Sequence, residues 1–131
     1  VEAWYRDERH PIPIKGRLWL TLDEWRRSVV PIVRGGFIGF FTGVLPGAGG
    51  AMATVISYSV EKRLSPNKAQ FGKGAIEGVA NPEAANNACT CGAFVPLLTL
   101  GVPGSGTTAV LLGAFILYGI QPGPMLFAHT N

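Results

Sequence analysis

Two short stretches carry the residue types that could do chemistry: Pro46-Gly47-Ala48-Gly49-Gly50 and Pro103-Gly104-Ser105-Gly106-Thr107-Thr108. Each places Pro-Gly-small-Gly inside an apolar run, where proline and glycine end one helix and let another begin. A helix starting at such a break presents unpaired N–H groups and the positive end of its dipole. Glycine lets a ligand come close to the backbone. Ser105, Thr107 and Thr108 add hydroxyls, and Ser105 or Thr107 can cap. The set Gly47, Gly49, Gly50, Gly104, Ser105, Gly106, Thr107 and Thr108 therefore suits an anion, most simply a carboxylate. The carbonyl ends of the preceding arms could hold Na⁺. Asn86 and Asn87 join the candidate set, because buried amides need partners and a break offers them. No catalytic residue, resident metal or cofactor is expected, only a coupling Na⁺ or H⁺.

The elements that must position these residues follow from where charge is absent. Every Asp, Glu, Lys and Arg lies in residues 1–34 or 61–83, and residues 35–60 and 84–131 have none. Blocks of that kind are routine in membrane proteins and rare in soluble ones. The fold class is therefore all-α: part of an integral membrane helical bundle, with two glycine/proline-broken segments that are discontinuous or re-entrant. Residues 1–34 read as a surface loop and an interfacial amphipathic helix, opened by a Thr21–Glu24 capping box. Residues 35–60 form the first broken membrane segment, 61–83 a polar connector in which Ser65-Pro66 can open a short helix, and 84–120 the second broken segment. Residues 121–131 form a turn and the start of the next segment. Gly35, Gly39, Gly43 and Gly47 are spaced by four and would line a groove for another backbone. Around the first break, arms of about ten residues each reach roughly 16 Å, half of a hydrocarbon core of about 30 Å. The helix is expected to resume near Ala51. Both flanks of the first segment are basic, which favours a re-entrant hairpin over a crossing broken helix.

Other chemistries find little support. The net charge of +3 is not striped along a face or interleaved with stacking aromatics, which argues against nucleic acid. Cys89 and Cys91 form C-x-C without a second pair, and His10 and His129 lie at opposite ends of the chain, so no zinc site is read. FGKG lacks the glycine and the Ser/Thr of a Walker motif, and GAGGAM has Met52 where a dinucleotide fingerprint needs Gly or Ala. Glu77 and Glu83 read as solvated or capping carboxylates. The chain is expected not to be an enzyme. The alternative to a transport site is a structural or assembly membrane protein whose glycines serve helix packing alone.

SYSVEKRLS, FGKGAIEGVANPEAANNA, PLLTLGVPGSGTTAVLLGA and YGIQPGP strongly resemble the large membrane subunit of the tripartite tricarboxylate transporters, the TctA family. The resemblance runs from about Gly16 onward. It implies a multi-pass permease of the bacterial inner membrane, with this chain near the start of the second half of a longer protein. It further implies a small membrane subunit and a periplasmic solute-binding protein as partners. Uptake of citrate-like or other carboxylates would be driven by an ion gradient. The family's motif segments fall on Gly47, Gly49 and Gly50, on Glu83, Asn86 and Asn87, and on Gly104 through Thr108. Cys89 and Cys91 depart from the Ala- and Gly-like residues the resemblance leads one to expect, but they are also small.

Overall fold

The computed structural model describes residues 19–126 and Ala128. The surface-loop reading of residues 1–17 lies outside the described residues, as do His10 and His129; of the expected turn and start of the next segment, residues 121–126 and Ala128 are described. The described residues hold four α-helices and no strand: α1 (Leu22–Val44), α2 (Gly49–Leu64), α3 (Glu77–Leu100) and α4 (Gly106–Leu117). Short 3₁₀ turns occupy Lys68–Gln70 and Pro124–Leu126.

α1 begins as its capping box dictates. The Thr21 hydroxyl accepts from the Glu24 N–H at 3.2 Å, and the Glu24 carboxylate accepts from the Thr21 N–H at 2.7 Å. Asp23 and Glu24 also suit the positive end of the helix. The helix then runs through Pro31 and across Arg34-Gly35, where the charge pattern put a segment boundary. The amphipathic stretch and the first apolar arm are thus one element. α2 starts at Gly49 rather than near Ala51. α3 likewise starts inside the polar connector, at Glu77 rather than at residue 84. It ends where Gly101 turns left-handed at φ +71, and the Val102 N–H reaches back to the Pro96 carbonyl. Ser65-Pro66 opens a turn, and the short helix that follows is the 3₁₀ segment, which begins at Lys68 rather than at Pro66.

Small residues decide the packing. Gly35, Gly39 and Gly43 of α1 lie against the backbone of Asn81, Ala85 and Cys89 of α3, and a Cβ at any of the three would overlap the facing carbonyl oxygen. Both series rise in steps of four, so α1 and α3 run parallel with backbones in near contact. The fourth glycine of the expected ladder, Gly47, is not on the helix and lies in the break at φ +83. α2 runs the other way: Gly50 faces Asn86, Ser57 bonds Asn81, and Tyr58 lies beside Gly78. α1 and α2 therefore form a hairpin folded at residues 45–48. The buried apolar residues are Ala53, Phe71, Ala75, Ala85, Cys89, Ala93 and Leu97, whereas Phe37, Phe41, Val55, Val110 and Leu117 point outward.

Candidate functional site

The two breaks meet. The Gly47 N–H donates to the Gly104 carbonyl at 3.1 Å. Gly104 is buried between helices, and a Cβ there would come within 3.0 Å of both Ala93 and the Gly43 carbonyl. Proximity of the breaks thus depends on glycine at 104. Gly47 and Gly49 differ: both have positive φ, +83 and +66, and nothing lies within 4 Å of where a side chain would start. Their glycines answer a backbone conformation, not a packing constraint. Gly50, in the first turn of α2, lies next to the side-chain oxygen of Asn86, close enough that a Cβ would overlap it.

The two helix starts at the breaks are finished differently. α4 has a complete cap: the Ser105 hydroxyl accepts from the Thr108 N–H at 3.3 Å, and the Thr108 hydroxyl accepts from the Ser105 N–H at 2.8 Å. Thr108 is buried, with its hydroxyl also donating to the Ser105 carbonyl at 2.9 Å. Ser105 is the cap, not Thr107. Thr107 is exposed and, with Gly106, Val110, Leu111 and Ala114, lines an open apolar hollow of about 600 Å³. α2 follows Ala48 without a side-chain cap. The amides of its first turn are the orphan donors that an anion could satisfy.

Of the residues singled out from sequence, Gly47, Gly50, Asn86 and Gly104 lie at or beside the joined breaks, with Gly49 between them in the chain. Asn87 does not reach a break. Its amide donates to the Glu83 carbonyl of its own helix at 2.9 Å, and Asn87 and Glu83 are exposed, as is Asn86, so neither amide is the buried one expected from sequence. On α3, one residue's step turns the side chain by about 100°, so Asn86 and Asn87 cannot both face α2.

Sequence reasoning missed a polar cluster at the opposite end of the hairpin. Arg34 pairs with Glu61 at 2.7 Å, Asn81 donates to Glu61 at 3.2 Å and to the Pro31 carbonyl at 2.9 Å, and the Ser57 hydroxyl donates to Asn81 at 2.5 Å. Glu61 is 2% exposed and Asn81 0%. Nearby, Arg27 grips both oxygens of Glu77 at 3.0 and 3.2 Å, and Asn67 adds a third donor at 2.9 Å. Glu77 is therefore a buried, paired carboxylate, not the solvated or capping one expected from sequence. Burial works to raise its pKa, but its own backbone N–H, the Asn67 amide and the Arg27 guanidinium outweigh burial and hold it below the ordinary glutamate value. The available signal was Arg34 and Glu61 standing at the two ends of one broken apolar segment.

Comparison with known proteins agrees with the motifs. The sequence model of the tripartite tricarboxylate transporter TctA family matches residues 3–131. An uncharacterised 52.8 kDa protein in the TAR-I ttuC' 3' region of Agrobacterium vitis is 53% identical over 107 residues, covering 82% of this chain and 21% of that protein. An uncharacterised protein in the TAR-II ttuC' 3' region of the same organism is 60% identical over 86 residues, covering 66% of this chain and 36% of that protein. This chain thus spans about a fifth and about a third of the two relatives. No solved structure matches it.

Proposed function

This chain belongs to the tripartite tricarboxylate transporter TctA family, a family of transporter components and not of enzymes, and on that premise we propose that its joined breaks form part of the substrate and ion site of a carboxylate permease. The observation that carries this reading is the Gly47–Gly104 hydrogen bond, which brings two Pro-Gly breaks from distant parts of the chain to one place. Irregular backbone at membrane depth is tolerated where it is buried in protein or lines a watery cavity. Gly47, Gly49 and Gly50 with the uncapped start of α2 would receive a carboxylate, beside Asn86. Ser105 and Thr108 would hold the second break in shape, and Gly106 and Thr107 would face the path. The coupling ion would be Na⁺ or H⁺. A small membrane subunit and a periplasmic solute-binding protein would complete the system in the bacterial inner membrane.

The packing-only alternative has its own support: Gly35, Gly39, Gly43 and Gly104 do serve close helix approach. It does not cover Gly47 and Gly49 by packing, since no neighbour demands their lack of a side chain; their positive φ is what a structural turn and a binding break alike ask of glycine. Among the described residues no helix is long and apolar enough to cross a membrane alone. The antiparallel α1–α2 hairpin supports the re-entrant topology, with Arg34 and Glu61 on one membrane face and the break near mid-depth. Large apolar side chains facing outward around a core made mostly of small residues suit lipid or neighbouring helices.

The decisive experiment is uptake of a panel of di- and tricarboxylates by the full-length protein in vesicles, with its binding protein, under separate Na⁺ and H⁺ gradients. Uptake that depends on one gradient is expected, and substrate should protect Gly49→Cys from labelling. Absence of any gradient-driven uptake, with the partners present, would overturn the transport reading. For the hairpin, Lys62→Cys and Lys73→Cys in a cysteine-free background should label from the cytoplasmic side. Labelling from the periplasm alone would refute it.

A further inference from the structure

The outer side of α2 carries a second concave surface that the transport reading leaves unused. Between its last turns and the 3₁₀ turn lies a cleft of about 630 Å³ lined by Tyr58, Ser59, Lys62, Arg63, Lys68 and Ala69. Helical geometry explains the composition. Glu61 turns inward to Arg34 and Asn81, so Lys62 and Arg63 fall on the outward side. Each stands one turn beyond a hydroxyl residue, Tyr58 before Lys62 and Ser59 before Arg63. The 3₁₀ turn brings Lys68 to the other wall. The Tyr58 ring is held edge-on against Phe71 at 5.4 Å, which fixes that wall. Among the described residues, no carboxylate lines the cleft and none of its three cations has an ion-pair partner. Three like charges around one hollow raise each other's energy, and an anion between them relieves it.

A second feature narrows the anion. One turn before Ser59 on the same side of α2 stands Val55, and before that Met52, 66% and 54% exposed. The basic cleft therefore tops an apolar stripe that belongs to the charge-free segment. A free phosphate would satisfy the cations and leave the stripe bare. A molecule with an anionic head and a hydrocarbon tail matches both.

We propose that this cleft is a headgroup site for an anionic glycerophospholipid, with the phosphodiester held by Lys62, Arg63, Lys68 and the Tyr58 hydroxyl, and an acyl chain lying along Val55 and Met52. The site rests on the membrane placement proposed above. It would tie the hairpin to the surface of the cytoplasmic leaflet, where anionic lipid attracts basic side chains.

The test uses the full-length protein in neutral detergent, titrated with phosphatidylglycerol, with phosphatidylcholine of the same chains, and with inorganic phosphate, and bound lipid is counted by native mass spectrometry. Phosphatidylglycerol should be retained well above phosphatidylcholine, and millimolar phosphate should not displace it. K62Q/R63Q/K68Q should weaken retention by roughly fivefold for each charge removed. K68Q alone, outside the α-helices, should give one such step and decides the matter if the triple variant does not fold. Val55→Asn should weaken retention of phosphatidylglycerol with the cations intact. Wild-type retention by the charge variants would overturn the site, and displacement by inorganic phosphate would overturn the lipid as its ligand. Carbonate extraction of the membranes separates the two readings: protein released by carbonate refutes the membrane placement, whereas protein retained without a preference for phosphatidylglycerol refutes only the lipid site.

Discussion

The two ends of the α1–α2 hairpin are held by opposite means. At the connector end, Arg27, Arg34, Glu61, Glu77 and Asn81 join three helices by charged, directional bonds, and among the described residues no buried side-chain polar atom is left without a partner. At the break end, one backbone hydrogen bond links Gly47, which has free space beside it, to Gly104, which is packed against Ala93 and Gly43. A network of buried charges costs a great deal to disturb, because each group removed leaves another unpaired. A single backbone bond between two glycines costs little to exchange for a ligand. If the breaks form the carrier site proposed above, this contrast would keep the connector end fixed and leave the break end to exchange its one link for a ligand.

The largest effect should come from disturbing what both ends share, the glycine contact between α1 and α3. Gly39→Leu forces a side chain into the Ala85 carbonyl, and overpacking of this kind should cost about 3 kcal/mol or more. Loss of monodisperse full-length protein in detergent would register it. Gly36→Ala, with nothing within 4 Å, should be neutral or slightly stabilising, so equal damage from both would refute the packing.

Next is the clamp. Asn81→Leu removes the group that serves Pro31, Ser57 and Glu61 together, and should cost about 2–3 kcal/mol in thermal unfolding, as expected for stranding buried polar partners. Glu61→Ala should cost about 2 kcal/mol, less than a fully buried pair would, because the Arg34 side chain is 31% exposed and can turn to water. A double-mutant cycle with Arg34→Ala should show coupling. Additive effects would mean the pair contributes nothing to the rigidity of that end.

How much of this contrast is legible in the sequence follows from how local each feature is. The Thr21 capping box, the Ser105 cap and both Pro-Gly breaks depend on a few consecutive residues, so composition and spacing are enough. The period-four glycines announce a close neighbour, but the identity of that neighbour depends on the register of α3 against α1, which no local rule supplies. The clamp is less legible still, because it joins residues from three segments. Charge absence puts the start of the second apolar block at residue 84, yet helix formation begins at Glu77, since Arg27 and Asn67 satisfy that carboxylate from a distance. Asn86 and Asn87 look equivalent as letters and both are exposed, and only the helical phase separates the one whose side chain lies beside Gly50 from the one bonded back to its own helix.

Acidification should loosen the clamped end first. The folded pKa of Glu77 lies below the 4.5 of an ordinary glutamate. Its stabilising contribution is whole above that value and is lost as pH falls through the lowered one. Wild-type protein should therefore lose thermal stability below about pH 4.5 more steeply than Glu77→Gln, which lacks the titrating group from the outset. Identical acid profiles would show that the carboxylate does not carry the clamp.

The smallest stability effects, and the sharpest separation of structure from function, come from two adjacent threonines. Thr108 is buried and completes the cap of α4, so Thr108→Val should cost about 1 kcal/mol, the usual value of a helix cap. Thr107 is exposed and lines the hollow along α4. Thr107→Val should therefore leave the melting temperature within error, since surface substitutions of this kind shift stability by about 0.5 kcal/mol or less. If the break end is the carrier site, the two variants should rank in opposite order by uptake per folded molecule: Thr107→Val impaired, and Thr108→Val nearly normal once corrected for its lower abundance. Normal kinetics in Thr107→Val would remove its hydroxyl from the path and leave Gly47, Gly49, Gly50 and Asn86 to bind the carboxylate, so the adaptable end would narrow to the start of α2.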